Sequence, residues 1–271
     1  MTETNAAERR RWNDDQWVAV WPKREPMTDT ITPFLLDALA LKPGERVLDV
    51  GSGGGKTTIA AAQAVGPAGT ATGADISVQL TELAAQRAAE AGVQNVSFRA
   101  ADVQQEFIEG APFDVVMSQF GVMFFDEPET AFTNIHSLLG PGGRIAFSCW
   151  QPMERNPWFP GVALAGLVPP PPAPEPGKSP TGPFALGDHG RTQGILESAG
   201  FANVRRTAHD LVPEVPQDVL VDEAQLRMMG VADDNMDAAR AAIAAHLARF
   251  ESGPGKAKLP LAFQIFRATA N

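Results

Sequence analysis

At 271 residues the chain is long enough for one large domain, or for one domain with a substantial cap. Hydrophobic residues make up 44% and charged residues 20%, the balance of a soluble globular protein. The net charge of −10, with no basic stripe beyond Arg9-Arg10-Arg11, argues against a nucleic-acid partner, because phosphate binding needs clustered Lys and Arg. The single cysteine, Cys149, excludes an internal disulfide, suits a reducing compartment and reads as a strand-end core residue. The N-terminus is polar, and no apolar run approaches a membrane span, so the expectation is a cytoplasmic protein with no membrane partner.

In chain order, Trp12, Trp17, Trp21 and Pro22 precede a helix expected from Asp29. These aromatic residues either close over a ligand as a lid or simply pack onto the domain. From Arg46 to Cys149, short apolar strands then alternate with helical patterns. Strands are predicted near 46–50, 70–75, 96–100, 113–118 and 143–149, and helices near 56–65, 77–91 and 128–139. Leu80, Leu83, Ala84, Arg87, Ala88 and Ala91 recur at helical spacing, with Ser77 as N-cap and Gly92 as stop. Gly140-Pro141-Gly142-Gly143 predicts a turn into the fifth strand. Such alternation implies right-handed crossovers and a largely parallel sheet with helices on both faces, and ligands bind such sheets at the strands' carboxyl ends.

Beyond Cys149 the pattern changes. Trp150, Trp158 and Phe159 sit among Pro152, Pro157 and Pro160, and residues 169–183 hold eight prolines, which predicts extended chain. A helix is predicted over 191–199 and a strand over 204–211. Two more helices are predicted over 216–230 and 235–251, the second with Ala238, Ala242, Ala245 and Leu247 on one face. Leu261–Phe266 reads as a final strand.

The most informative stretch is Val47-Leu48-Asp49-Val50-Gly51-Ser52-Gly53-Gly54-Gly55, a buried strand running into a glycine turn and then a helix. Glycine permits close backbone approach to a ligand, and the helix N-terminus favours an anionic group there. Twenty residues on, Asp75 ends a second strand, where an acid can hold a ribose hydroxyl pair. Together they predict a nucleoside-type cofactor. The third glycine of the dinucleotide fingerprint is Lys56 here, and Gly51 to Gly55 is one residue short of a phosphate-binding loop.

G-x-G-x-G after Val-Leu-Asp-Val resembles motif I of class I S-adenosylmethionine (SAM)-dependent methyltransferases. Ala74-Asp75-Ile76-Ser77, Ala101-Asp102-Val103, Phe113–Ser118 and Leu139–Arg144 resemble that family's later motifs, in order, over roughly 46–150. Ser118–Phe125, Cys149-Trp150, Asn156-Pro157-Trp158 and Gly182–Leu186 are similar to a bacterial group akin to ubiquinone/menaquinone-biosynthesis methyltransferases. That group tends to a more acidic phrase than Gly187–Arg191, and Ser52 stands where its cysteine is common. The resemblance implies a doubly wound, seven-stranded Rossmann-like α/β sheet with a small helical cap. Residues 1–45 would form an N-terminal helical lid and 46–150 the SAM-binding core. A proline-rich linker completing the core would span 151–210, the cap 211–258 and the last strand 259–271.

The resemblance further implies SAM over Gly51, Ser52, Gly53 and Gly55, its carboxylate meeting the amides of Ser52 and Gly53. Asp49 would be either a structural acid or a partner of the cofactor's amine. Asp75 with Ile76 would hold the ribose, Asp102 with Val103 the adenine, and Ser118 and Gln119 would lie beside the methyl group. Trp150, Trp158 and Phe124 would wall a pocket for a small, largely apolar methyl acceptor. Methylation at O, N or C is open, as is a monomer or a homodimer, and no metal is implied. A hydroxyl acceptor would need a base. His189, His209 and Asp126 are weak candidates, while His136 and His246 read as structural or surface residues and tyrosine is absent. A nucleotide-dependent oxidoreductase, a non-catalytic SAM-binding regulatory protein and an NTPase are the alternatives.

Overall fold

The computed structural model describes residues 5–169, 179–217 and 221–270. Its strands are β1 (Arg46–Val50), β2 (Thr70–Asp75), β3 (Val96–Ala100), β4 (Phe113–Gln119), β5 (Leu139–Trp150), β6 (Phe201–Leu211), β7 (Glu214–Pro216), β8 (Glu251–Gly253), β9 (Lys256–Lys258) and β10 (Leu261–Ala270). Seven form one sheet in the order β3-β2-β1-β4-β5-β10-β6, with β10 antiparallel to both neighbours and the pairs from β3 to β5 parallel. The order reverses between β1 and β4, so the carboxyl ends of these strands frame a crevice.

Alternation along β1 explains burial on both faces. Val47 packs with Leu35, Ala61 and Val65 on one side, whereas Leu48 and Val50 join Phe132, Ile135 and Phe147 on the other. The helices covering the sheet include α4 (Thr32–Leu39), α5 (Lys56–Val65), α6 (Val78–Glu90), α7 (Pro128–Ser137) and α8 (His189–Ser198). As predicted, Ser77 caps α6, its Oγ accepting from the Leu80 amide at 3.2 Å.

Several expectations need correction. Upstream of α4 the chain forms α1 (Ala6–Trp12), α2 (Asp15–Arg24) and α3 (Pro26–Asp29), so the expected helix from Asp29 begins instead at Thr32. The Gly140–Gly143 turn is an irregularity inside β5, because Leu139 already pairs with Phe113 before the register shifts. The helix predicted over 216–230 shrinks to α9 (Glu223–Met228). Asp222 caps it from Ala224, and Val215 is tied into β7. Met236–Leu247 forms α10, which buries Met236, Ala239, Ile243 and Leu247 rather than the alanine face containing Ala238 and Ala245. The cap is therefore not all helical: β7, β9 and β8 form an antiparallel sheet within it. Most of the proline-rich stretch, 170–178, lies outside the described residues.

Candidate cofactor and acceptor site

A cavity of about 950 Å³ lies at the carboxyl ends of the central strands. Gly51, Ser52, Asp75, Ile76, Asp102, Val103 and Gln119 line it from the strand tips, and Phe124, Trp150 and Trp158 from beyond β4 and β5. Residues from α1 to α3 and α9 complete its wall. Strand tips, N-terminal helices and cap thus share one space.

The glycine turn is shaped by its neighbours. Gly51 has φ +70°, and a Cβ there would come 2.7 Å from the Gly121 Cα. A Cβ on Gly53 would come 2.6 Å from Trp21 Cζ2, so the α2 indole lies directly against the turn. Gly53, Gly55 and Asp49 stand behind the surface rather than in the lining. Asp49 is fully buried. The Thr57 and Thr58 hydroxyls donate to its Oδ2 at 2.6 and 2.7 Å, while Oδ1 has no partner. Burial pushes its carboxyl up to about 6, against the two hydroxyls and with a small push from Asp75.

Asp75 accepts from the Gly53 amide through Oδ2 and from the Ser77 amide through Oδ1, both at 2.8 Å. Burial raises its carboxyl above the usual range despite these two bonds. The Ser52 amide donates to Ala74 O at 3.2 Å. The amides of Ser52 and Gly53, expected to meet a cofactor carboxylate, are therefore already engaged within the protein, because the turn is knitted to the tip of β2.

At β3, the Asn5 side chain donates to Asp102 Oδ1 and Oδ2 at 2.8 and 3.0 Å, and the Gln104 amide donates to Oδ1 at 3.0 Å. Burial again raises this carboxyl. At β4, Gln119 lines the cavity and accepts from the Thr32 hydroxyl at 2.9 Å. Ser118 differs from expectation. Its buried Oγ accepts from the Gly121 and Val122 amides at 3.1 and 3.2 Å, organising the turn below the cavity rather than lining it. Phe120 follows with φ +66°, a backbone state costly for a bulky residue, and its ring stacks on Trp150 at 4.3 Å. Trp158 sits edge-on to Trp150 and donates to Asn156 Oδ1 at 3.0 Å.

Beside the tryptophans named above, the N-terminal helices supply Glu8, Arg11, Arg24 and Glu25, cavity residues that no motif marked. Trp12 contacts Trp17, Trp21 and Phe124 edge-on, at 5.2 to 6.0 Å. Glu25 accepts from Trp21 Nε1 and from Arg87, each at 2.7 Å, and Arg87 also donates to Gly54 O at 2.9 Å. Glu8 lines the cavity with its carboxyl raised by burial, but Arg11 and Trp12 donate to it.

The weak base candidates lie outside this lining. His189 is exposed at the start of α8, behind the Asp188 cap. His209 stacks on Phe263 across the sheet at 5.0 Å, and burial lowers its imidazolium, with Asp210 opposing. Asp126 is engaged by Asn5, whose amide donates to Oδ2 at 2.8 Å. His136 packs edge-on to Phe201, and His246 meets Pro157 O. Cys149 is buried and its thiol is pushed up to about 12. No histidine lines the cavity among the described residues. Nor do those residues include three or more His, Cys, Asp or Glu side chains placed to hold a metal ion, or a helix long and apolar enough to cross a membrane.

The sheet order, with its antiparallel β10, and the glycine turn facing two strand-tip acids define a methyltransferase-type Rossmann-like protein. Residues 41–160 match a family model described as a methyltransferase domain. Over 244 residues the chain is 32% identical to nocamycin O-methyltransferase of Saccharothrix syringae, covering 84% of this chain and 87% of that protein. It is 36% identical over 126 residues to an aklanonic acid methyltransferase of Streptomyces sp. (strain C5), 46% of this chain and 56% of that one. Among solved structures, the YcgJ protein of Bacillus superposes with a TM-score of 0.60 at 17% identity, over 89% of this chain and 97% of that chain, a likeness of fold. The chain belongs to the class I SAM-dependent methyltransferases. Membership displaces the oxidoreductase and regulatory alternatives.

Proposed function

We propose that SAM lies across the tips of β1, β2 and β3, and that the acceptor is a small, largely apolar molecule held among Trp150, Trp158 and Phe124. The observation carrying this reading is a single cavity reaching from Gly51, Asp75 and Asp102 to those aromatic walls. The buried Asp49 carboxyl behind the turn, its Oδ1 unpartnered, suits a cofactor whose ammonium group lies over the turn, acting through space. In this reading Asp75, beside Ile76, holds the ribose, and Asp102, beside Val103, the adenine edge. When bound, SAM supplies an electrophilic methyl group on a sulfonium. The 1–45 segment acts as a lid that excludes water, as the packing of Trp21 on the glycine turn supports.

Glu8 is engaged by Arg11 and Trp12, and Asp75 and Asp102 by backbone amides and Asn5, so we infer an acceptor whose nucleophile ionises readily, an acidic hydroxyl, a carboxyl or an activated carbon. The names of the O-methyltransferase and the acid methyltransferase support an oxygen acceptor. The acidic surface and single cysteine fit cytoplasmic work on a small molecule without nucleic acid. The test is incubation with SAM and a panel of phenols, carboxylic acids and 1,3-diketones, following S-adenosylhomocysteine (SAH) and product mass. SAH formed with a methylated product supports the reading, and SAM binding without turnover of any acceptor contradicts it.

A further inference from the structure

We propose that the methyl acceptor carries a carboxylate remote from its reacting atom, held at the α2–α9 wall by Arg24 and the Trp17 indole N–H, beside a donor group that bonds to Gln225 Oε1. The inference rests on the reading that this cavity holds the acceptor.

All three residues line the cavity. Trp17 is 4% exposed and its Nε1 has no acceptor, and Gln225 is 5% exposed and its Oε1 has no donor. A buried polar atom left unpaired costs free energy, and because both atoms show almost no surface to the cavity, a ligand meets them only by parting the α2–α9 wall. The Arg24 guanidinium sits 4.7 Å from the centre of the Trp17 ring. Among the described residues it has no ion pair or hydrogen bond, whereas the cavity's other cations are matched: Arg11 with Glu8 at 3.0 Å and Lys56 with Asp29 at 2.9 Å. Asp222 acts on Arg24 only through space. Its carboxylate accepts from the Ala224 amide at 3.0 Å and lies 3.9 Å from Lys23. Burial brings the guanidinium down to about 10, which leaves it charged at neutral pH.

Position separates this subsite from the glycine turn. Trp17 and Arg24 are seven residues apart and share one line of α2, with Trp17 packed on Ala224 of α9, while Trp21 is turned about 40° and Glu25 about 100° further round towards the turn. Trp21 and Glu25 are the α2-end residues that reach Gly53, Gly54 and Arg87. A planar carboxylate matches the guanidinium fork, and stacking on Trp17 fixes the plane of that fork. The surrounding walls are mostly aromatic and thioether side chains, including Met228 and Met229, and suit the apolar body of such an acid.

The test titrates the SAH complex with 6-hydroxy-2-naphthoate, whose carboxylate and hydroxyl lie at opposite ends of the rings, and with its methyl ester, using wild type, Arg24→Gln and Arg24→Lys. The inference expects wild type to prefer the acid by about tenfold or more. Arg24→Gln should abolish that preference while leaving SAH affinity unchanged, and Arg24→Lys should restore part of it. Equal affinity for acid and ester, no binding of the acid, or a preference surviving in Arg24→Gln would overturn it. So would a loss of SAH affinity in Arg24→Gln, which would assign the guanidinium to the cofactor. Failure of wild type to bind SAH sinks the proposed function instead, and the two failures are read in separate titrations.

Discussion

The Asn5 side-chain amide donates to both oxygens of Asp102, tying the segment ahead of α1 to the tip of β3 across 97 positions of sequence. The same residue exchanges bonds with Asp126, its amide donating to Oδ2 at 2.8 Å and its Oδ1 accepting from the Asp126 amide at 2.9 Å. Asn5→Ala leaves a carboxylate that is 1% exposed short of its main donor. The expected loss is about 1–3 kcal/mol, or several degrees in Tm for a chain of this size. A melt that matches wild type would show that the clasp adds nothing.

Asp49 sets a pH dependence. Its folded-state carboxyl stands at about 6 against an ordinary value of 3.8, so the folded chain binds more protons than the unfolded chain between these values. Stability is therefore greatest below the lower value and falls as pH rises through about 6, by about 3 kcal/mol in all. Asp49→Asn removes the titration, and urea midpoints at pH 4.5 and 7 should converge in the variant once other groups are subtracted. An unchanged slope would contradict the assignment.

Glu25 joins Trp21, Arg87 and, at 3.7 Å, Lys56, bridging the N-terminal helices to the glycine turn. Glu25→Gln weakens two charge-assisted contacts, and SAH should leave about tenfold faster, with a smaller effect on its association. Stopped-flow tryptophan fluorescence checks this through Trp21, which lies against Gly53. A slower association with unchanged release would argue against a latch.

Cys149 gives a negative expectation. Fully buried, with its thiol pushed up to about 12, it should resist iodoacetamide at pH 8 while folded and react once in guanidinium. Rapid labelling of the native protein would mean that β5 opens locally.

The core was legible because its signals are local. The unbroken burial of β1, the glycine turn and the Ser77 cap each depend on a few consecutive residues, and the structure has them where the sequence predicts. Ser118 was not legible, since a serine at a strand end can face a ligand or bond the next turn, and Gly121 and Val122 claim it. Arg24 and Gln225 join Trp17 only when α2 packs on α9, so of the three the sequence marked Trp17 alone, as an aromatic that closes over a ligand or packs on the domain. The three-residue strands β7, β8 and β9 are too short to show any period.

The account depends most on Asp75, whose carboxylate spans the Gly53 and Ser77 amides at the place assigned to the ribose. Calorimetric titration of wild type and Asp75→Ala with SAH tests it, with circular dichroism to confirm that both are folded. The account predicts one-to-one binding by wild type and at least about a hundredfold weakening in the folded variant, as expected when a charged hydrogen-bonding group is lost. Equal affinity in the two proteins would contradict the placement of the cofactor on these strand tips.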